Sequence, residues 1–345
     1  MSFFTDVRKT PFNSDRCTRH RDMTSLTILS DSKDDPVDLL AGVCECHRKA
    51  ALDREALEKD LSEQELTCVS ELRERLVDEP ITAKDTATLI RFSRARQLNV
   101  DKAEDMLRNM LKWRRENIPP GGFPEKAEDL PELVQEELAK GKMFYLKNNF
   151  DIDGRQIFIC RSYLFEKGVD LETSKQALVF LTESARKRKK HPLEKVICIW
   201  DASDFSYTSQ YDSGFFKQFN SVLADNFPES LHCTIIYPLN WIFLGIYKVV
   251  EWFLAEETKK KLCFLKVGDE DKILMYIAKE DLLKELGGDV SINTPENRND
   301  VVTLSEDKVV EAKRKKKEFL EASTEKMGND WAGCTELFLE WAKQP

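Results

Sequence analysis

The sequence predicts an α/β fold: a mostly parallel sheet that follows a block of helices and is accompanied by one unusually apolar helix. Three observations carry this. Short apolar runs of strand length stand at Met143–Leu146, Ile157–Cys160, Val196–Trp200, Thr234–Tyr237 and Cys263–Val267, and helical stretches near 172–190, 210–226 and 239–254 lie between most of them. The run VICIW is apolar at successive positions, as a strand covered on both faces requires. Before residue 118 the apolar residues recur at helical spacing instead.

Taken in order, residues 1–45 are expected to be a flexible tail, polar and without periodicity through about 37. MSFFTDVRKTPFNSD has neither a long apolar stretch nor a small-residue cleavage site, so no signal peptide is expected. Residues 46–125 read as an amino-terminal helical module. Leu52, Leu57, Leu61, Val69, Leu72 and Leu76 predict one helix over 46–78, stopped by Pro80. Residues 85–97 and 99–117 predict a helical pair. Asn99 is placed to cap the second helix, and Pro119, Pro120, Gly121 and Gly122 end it.

Residues 126–290 read as the α/β domain. Asp151, Asp153 and Gly154 supply a tight turn, so the first two strands should form an antiparallel hairpin. Residues 291–345 follow a Gly-Gly break and read as a helical extension. It includes a helix over 304–322 and the segment ELFLEW, which fits either helix or strand.

Composition narrows the function. The 345 residues include 53 basic and 62 acidic side chains, a net charge of -9, which argues against a nucleic-acid partner. Nine Cys with no C-x-x-C pair and no His at zinc spacing read as reduced thiols of a cytoplasmic protein, and no metal or cofactor is expected. No G-x-S-x-G, G-x-x-x-x-G-K-[ST], G-x-G-x-x-G or H-E-x-x-H motif is present, so the chain is not expected to be an enzyme. Asp201, Asp204 and Asp212 lie in loop-like sequence and read as turn and cap residues.

Residues 235–254, IIYPLNWIFLGIYKVVEWFL, are the most apolar stretch. A membrane span needs ~20 apolar residues to cross ~30 Å of hydrocarbon. Pro238 interrupts the run, the helix after it reaches only about 24 Å, and Lys248 and Glu251 lie within it. A span is therefore excluded. A buried core helix and a lid over an apolar pocket both fit the pattern. Asn240, Leu244, Lys248 and Glu251 follow one stripe, so the polar strip is narrow, and Trp241, Phe243, Tyr247 and Trp252 suit a membrane interface.

Five segments in order, over about 85–290, resemble the CRAL-TRIO lipid-binding family: LIRFSRARQLNVDKAEDMLRNMLKWRREN, DIDGRQIFICR, NFPESL, the 239–254 helix with AEETKKKLCFL, and DLLKELGGDV. The resemblance implies a sheet forming the floor of an apolar pocket, with the 239–254 helix as its gate. It implies one bound lipid carried between membranes, the alternative being a sensor or adaptor that regulates a partner or phosphoinositide metabolism. By position, Arg96 and Glu229 fall on headgroup-contacting residues of the family. Phe158, Val196, Cys198, Trp241, Phe243, Leu244, Tyr247, Val250 and Phe253 are the expected pocket and gate residues.

Departures from the family pattern bear on the ligand. Glu251 stands where phosphatidylinositol-transfer members have the Lys of "K-P-F-L", and Val196 and Cys198 replace hydroxyl side chains of phosphatidylcholine-binding members. A sterol, tocopherol or retinoid therefore stands beside a phospholipid among the ligand classes. Ser93 and Gln156 replace an apolar residue and a Pro, with no functional reading. Of three basic clusters, 186–190, 259–261 and 313–317, the second directly follows the gate. Lys259, Lys260 and Lys261 are the candidates for docking on an anionic membrane surface, which implies peripheral membrane association.

Overall fold

The computed structural model describes residues 54–291, apart from 55, 80–84, 121, 125, 189, 204–209, 240 and 255. The expected tail, the extension beyond Ser291 with its 313–317 cluster, and Asp204 lie outside the described residues. The chain divides into two compact units, Met1–Asp60 and Leu61–Pro345, and the elements below belong to the second.

One expectation is corrected at once. The apolar spacing predicts a single helix over 46–78, but the chain leaves the helical conformation at 59–62 and starts again as α1 (Glu63–Arg75). The cause is a capping box. The Glu65 backbone N–H donates to Ser62 Oγ (3.3 Å), and the Ser62 N–H donates to the Glu65 carboxylate (3.0 Å). Helices α2 (Thr86–Ala95) and α3 (Val100–Asn117) follow, joined by a short connection. Asp85 accepts from the Ala87 N–H, and Asn99 accepts from the Lys102 N–H at 3.0 Å, as its position predicts. Leu72, Leu89, Ile90 and Leu107 are buried where α1, α2 and α3 meet.

Helix α4 (Glu132–Ala139) leads into a five-stranded sheet of order β1-β2-β3-β4-β5, with β1 (Met143–Phe150), β2 (Gln156–Arg161), β3 (Val196–Asp201), β4 (Leu231–Tyr237) and β5 (Leu262–Phe264). The β1–β2 pair is the expected antiparallel hairpin and the other pairs are parallel. In its turn, Asp151 Oδ1 accepts from the N–H groups of Asp153 (3.0 Å) and Arg155 (2.7 Å), while Gly154 takes φ +78°. Between the strands run α5 (Leu171–Lys187), α6 (Ser213–Asn226), α7 (Trp241–Val250, prolonged by a 3-10 turn over Glu251–Phe253) and α8 (Glu256–Lys259). Asp212 caps α6 through the Phe215 N–H at 3.0 Å.

Strand alternation divides the core in two. Phe158, Cys160, Cys198 and Trp200 point to the face packed by α5, α6 and α7. Ile157, Ile159, Ile197 and Ile199 point to the other face, covered by Leu265, Ile273, Leu282, Leu283 and Leu286 from the segment after β5. That segment closes tightly at Gly288, where a Cβ would lie 2.1 Å from the Leu282 carbonyl oxygen. Strand β5 ends at Phe264, short of the expected Val267, because Asp269 accepts from the Lys266 N–H (3.0 Å) and turns the chain. Among the described residues, no helix is long and apolar enough to cross a membrane.

Candidate functional site

On the α-helical face of the sheet lies a cavity of about 430 Å³. Its floor is the inward-facing side of the strands, with Tyr145, Phe158 and Trp200. Its wall is α6, whose Phe216, Phe219 and Leu223 recur at three- and four-residue steps, and Phe227 just beyond. Its cover is α7, which contributes Phe243 and Tyr247. The cover is seated by ring contacts. Phe243 meets Trp200 at 6.2 Å between centroids, and Tyr247 meets Phe264 of β5 edge to face at 5.1 Å. Trp252, at the end of the cover, is 83% exposed.

Of the pocket and gate residues expected from the sequence, Phe158, Val196, Cys198, Phe243 and Tyr247 line the cavity. Leu244 packs against the surrounding core. The side chains of Trp241, Val250 and Phe253 lie outside the described residues. Arg96, Glu229 and Lys261 also line the cavity, whereas Lys259 and Lys260 sit on α8 and just past it, paired with Glu256 (2.6 Å) and Glu257 (2.8 Å). Glu251, which stands where phosphatidylinositol-transfer members have a Lys, pairs with Lys248 at 3.5 Å and is not among the described lining residues.

The polar end is built at the amino-terminal edge of the parallel strands. Lys195 immediately precedes β3, Glu229 and Ser230 precede β4, and Lys261 precedes β5. Glu229 is held in the left-handed conformation, φ +55°, and accepts an ion pair from Lys261 at 3.2 Å. Glu194, also left-handed at φ +54°, is buried and bound by Arg91 (2.9 Å) and Arg186 (2.8 Å). Arg91 reaches this corner from α2 and donates its other terminal nitrogen to Ser230 Oγ at 2.9 Å, so one buried guanidinium ties the loops before β3 and β4 together.

Among the described residues, six cations line the cavity (Arg94, Arg96, Arg186, Lys190, Lys195 and Lys261) against three carboxylates (Glu194, Glu229 and Glu257). Each carboxylate is already paired. Burial lowers the Lys195 amine below its ordinary value; Glu229 acts against that shift, and Lys261 and Arg94 act with it. Two of the cations are paired as well, Arg94 with Glu65 (2.7 Å) and Arg186 with Glu183 (3.2 Å), so the cavity joins an apolar lining to a cluster of mostly paired charges.

Sequence reasoning missed Tyr145, Trp200, Lys195 and the α6 stripe. The stripe was readable, since Phe215, Phe216, Phe219 and Leu223 mark an apolar helix face. Which strand residues face the cavity was not, because β2 is buried on both sides and its two faces look alike in sequence.

Comparison with known proteins agrees with the architecture. The family model for the CRAL/TRIO domain matches residues 139–288, and that for the CRAL/TRIO N-terminal domain matches 53–109. A CRAL-TRIO domain-containing protein of Schizosaccharomyces pombe is 27% identical over 249 residues, 70% of this chain and 55% of the relative. The phosphatidylinositol transfer protein CSR1 of Eremothecium gossypii is 29% identical over 58% of this chain and 46% of its own length. The chain therefore spans about half the length of these two relatives. The Sec14 cytosolic factor of Schizosaccharomyces pombe is 28% identical over 59% of this chain and 74% of its own. Among solved structures, Sfh5 superposes with a TM-score of 0.53 at 15% identity, covering 73% of this chain and 97% of Sfh5, a likeness of fold.

Proposed function

The chain belongs to the CRAL/TRIO family, and from that premise we propose that it binds one hydrophobic lipid in the cavity beneath α7 and carries it between membranes. The observation that supports this most is the aromatic cavity itself, whose volume is in the range of small-molecule sites. Enclosing a lipid tail there stabilises the complex by about 25 cal/mol per Å² of apolar surface removed from water, which offsets extraction from the bilayer.

The cover supplies the exchange step. Ring contacts seat helix α7, and its end offers Trp252 to solvent. In this reading α7 meets the bilayer and swings out, ligand enters, and closure buries the tail. Lys259 and Lys260 dock the same end on an anionic leaflet by exchanging their surface carboxylates for lipid phosphates. Lys261 turns inward and belongs with Arg96 and Glu229 at the headgroup end. The protein acts in the cytoplasm, peripherally on membranes, consistent with the free cysteines among the described residues. Binding, not catalysis, is its activity.

The test is a donor-to-acceptor vesicle assay combined with mass spectrometry of lipids that co-purify. One lipid per chain and protein-dependent movement between vesicles are expected. Bound lipid without movement would leave a sensor or adaptor. No bound lipid would end the reading.

A further inference from the structure

A second cavity, about 540 Å³, lies between α3 and α6. Helix α6 gives it Val222 and Asn226, four residues apart, while Phe216, Phe219 and Leu223 serve the cavity beneath α7 from another face of the same helix. From α3 come Met106, Asn109, Met110 and Trp113, at three- and four-residue steps. Met106, Met110 and Val222 are buried and make an apolar floor. Trp113 is half-buried and meets Phe227 edge to face, 6.2 Å between centroids. Lys102, Asp105, Asn109 and Asp225 are exposed at the rim, so the groove is open to solvent. Much of its polar chemistry is unspent. Asn226 is 8% exposed; its Nδ2 donates to the Val222 carbonyl at 3.0 Å, and its Oδ1 accepts no hydrogen bond among the described residues. The side chains of Asn109, Lys102 and Asp105 make none among them either.

We propose that this groove binds an extended peptide segment of a partner protein, with Asn109 and Asn226 pairing to its main-chain amides and Met106, Met110 and Trp113 receiving one aromatic side chain. A carboxamide presents a donor and an acceptor side by side, the pattern of a main-chain amide. A helical partner has already spent its amides within itself, and an acyl chain has none, so either would leave Asn226 unmatched. Thioethers and an indole ring favour an aromatic guest over an aliphatic one. The rim sets two cations, Arg96 and Lys102, against two carboxylates, Asp105 and Asp225. That balance favours neither a phosphate nor a polyanion and suits a segment bearing both signs. The groove gives the chain a partner contact that does not pass through the cavity beneath α7, so it stands or falls separately from the carrier reading.

A phage-displayed library of random dodecapeptides is panned on the full chain, and the enriched sequences are made as fluorescein-labelled peptides. They should carry an aromatic residue in common. Their affinity, read by fluorescence polarisation, should fall about tenfold in Asn109→Ala and in Asn226→Ala, the loss of hydrogen bonds to one main-chain amide. Trp113→Leu should weaken it as well. Thermal melting checks folding, and the exposed Asn109 supplies a variant that keeps the fold if Asn226→Ala does not. Absence of any enriched sequence overturns the proposal, as does undiminished binding by Asn109→Ala. Peptides that displace a fluorescent lipid have entered the cavity beneath α7 instead, and peptides that turn helical on binding, read by circular dichroism, dock by a helix face; either result also overturns it.

Discussion

Phe243 of the covering helix rests against Trp200 of β3, ring centroids 6.2 Å apart and planes inclined by 58°. The contact joins the cover of the cavity to its floor. An aromatic pair of this kind is worth about 0.5–1.5 kcal/mol beyond burial. Phe243→Ala should therefore speed release of bound lipid by about two- to tenfold, read as the off-rate of a fluorescent lipid from the loaded protein. An unchanged off-rate would show that the cover opens elsewhere.

Arg91 makes a stability prediction. It and Glu194 are both buried, and Arg91 bridges Glu194 and Ser230. Removing one partner of a buried pair costs about 3–5 kcal/mol, so Arg91→Met should lower the unfolding free energy by about that much in urea titration. Arg91→Lys should recover little, because one ammonium cannot reproduce the two-pronged reach of the guanidinium.

Acid should weaken the fold through two histidines. Burial holds His191 and His232 below their ordinary value of 6.5, and Arg155 and Lys195 push the same way. The unfolded chain then takes up these protons at higher pH than the folded one. The stability they contribute is fully present above 6.5 and is lost as pH falls through and below it. The melting temperature of the wild type should drop between pH 7.5 and 5.5 more steeply than that of a His191→Gln/His232→Gln double variant; parallel curves would disprove it.

Membrane docking is expected to depend on Trp252 together with Lys259 and Lys260. Trp252→Ala should weaken binding to vesicles at any ionic strength. Lys259→Glu/Lys260→Glu should weaken it only on anionic vesicles and at low salt, since added salt screens surface charges. Vesicle flotation separates the two. Equal binding by both variants would place the docking surface elsewhere.

Much of the fold was legible because its strands and helices differ in period. Asn99 as a cap and the Asp151–Gly154 turn were readable from local chemistry, and both are as expected. Ser62 was readable too, since Ser-Glu-Gln-Glu has capping-box spacing, but the apolar repeat on either side hid it. The cavity was harder. Val196 and Cys198 line it beside Phe158, yet no pattern in the sequence marks Lys195, which lines it from the residue before β3. Glu251 shows the converse: its place in the sequence suggests a charge aimed at the ligand, and in three dimensions it pairs with Lys248.

The placement of the polar end at the amino-terminal edge of the strands has a bearing on how such a protein diversifies. In most open parallel sheets the ligand sits at the opposite edge, where helix amino termini offer backbone N–H groups to anions. Here α5 and α8 arrive with their carboxyl termini, carrying Arg186, Lys187 and Lys259 in their last turns. Recognition at this edge must then be written in side chains, with the main chain contributing little. Preference for one ligand over another can then shift by single side-chain substitutions along this edge, leaving the scaffold untouched.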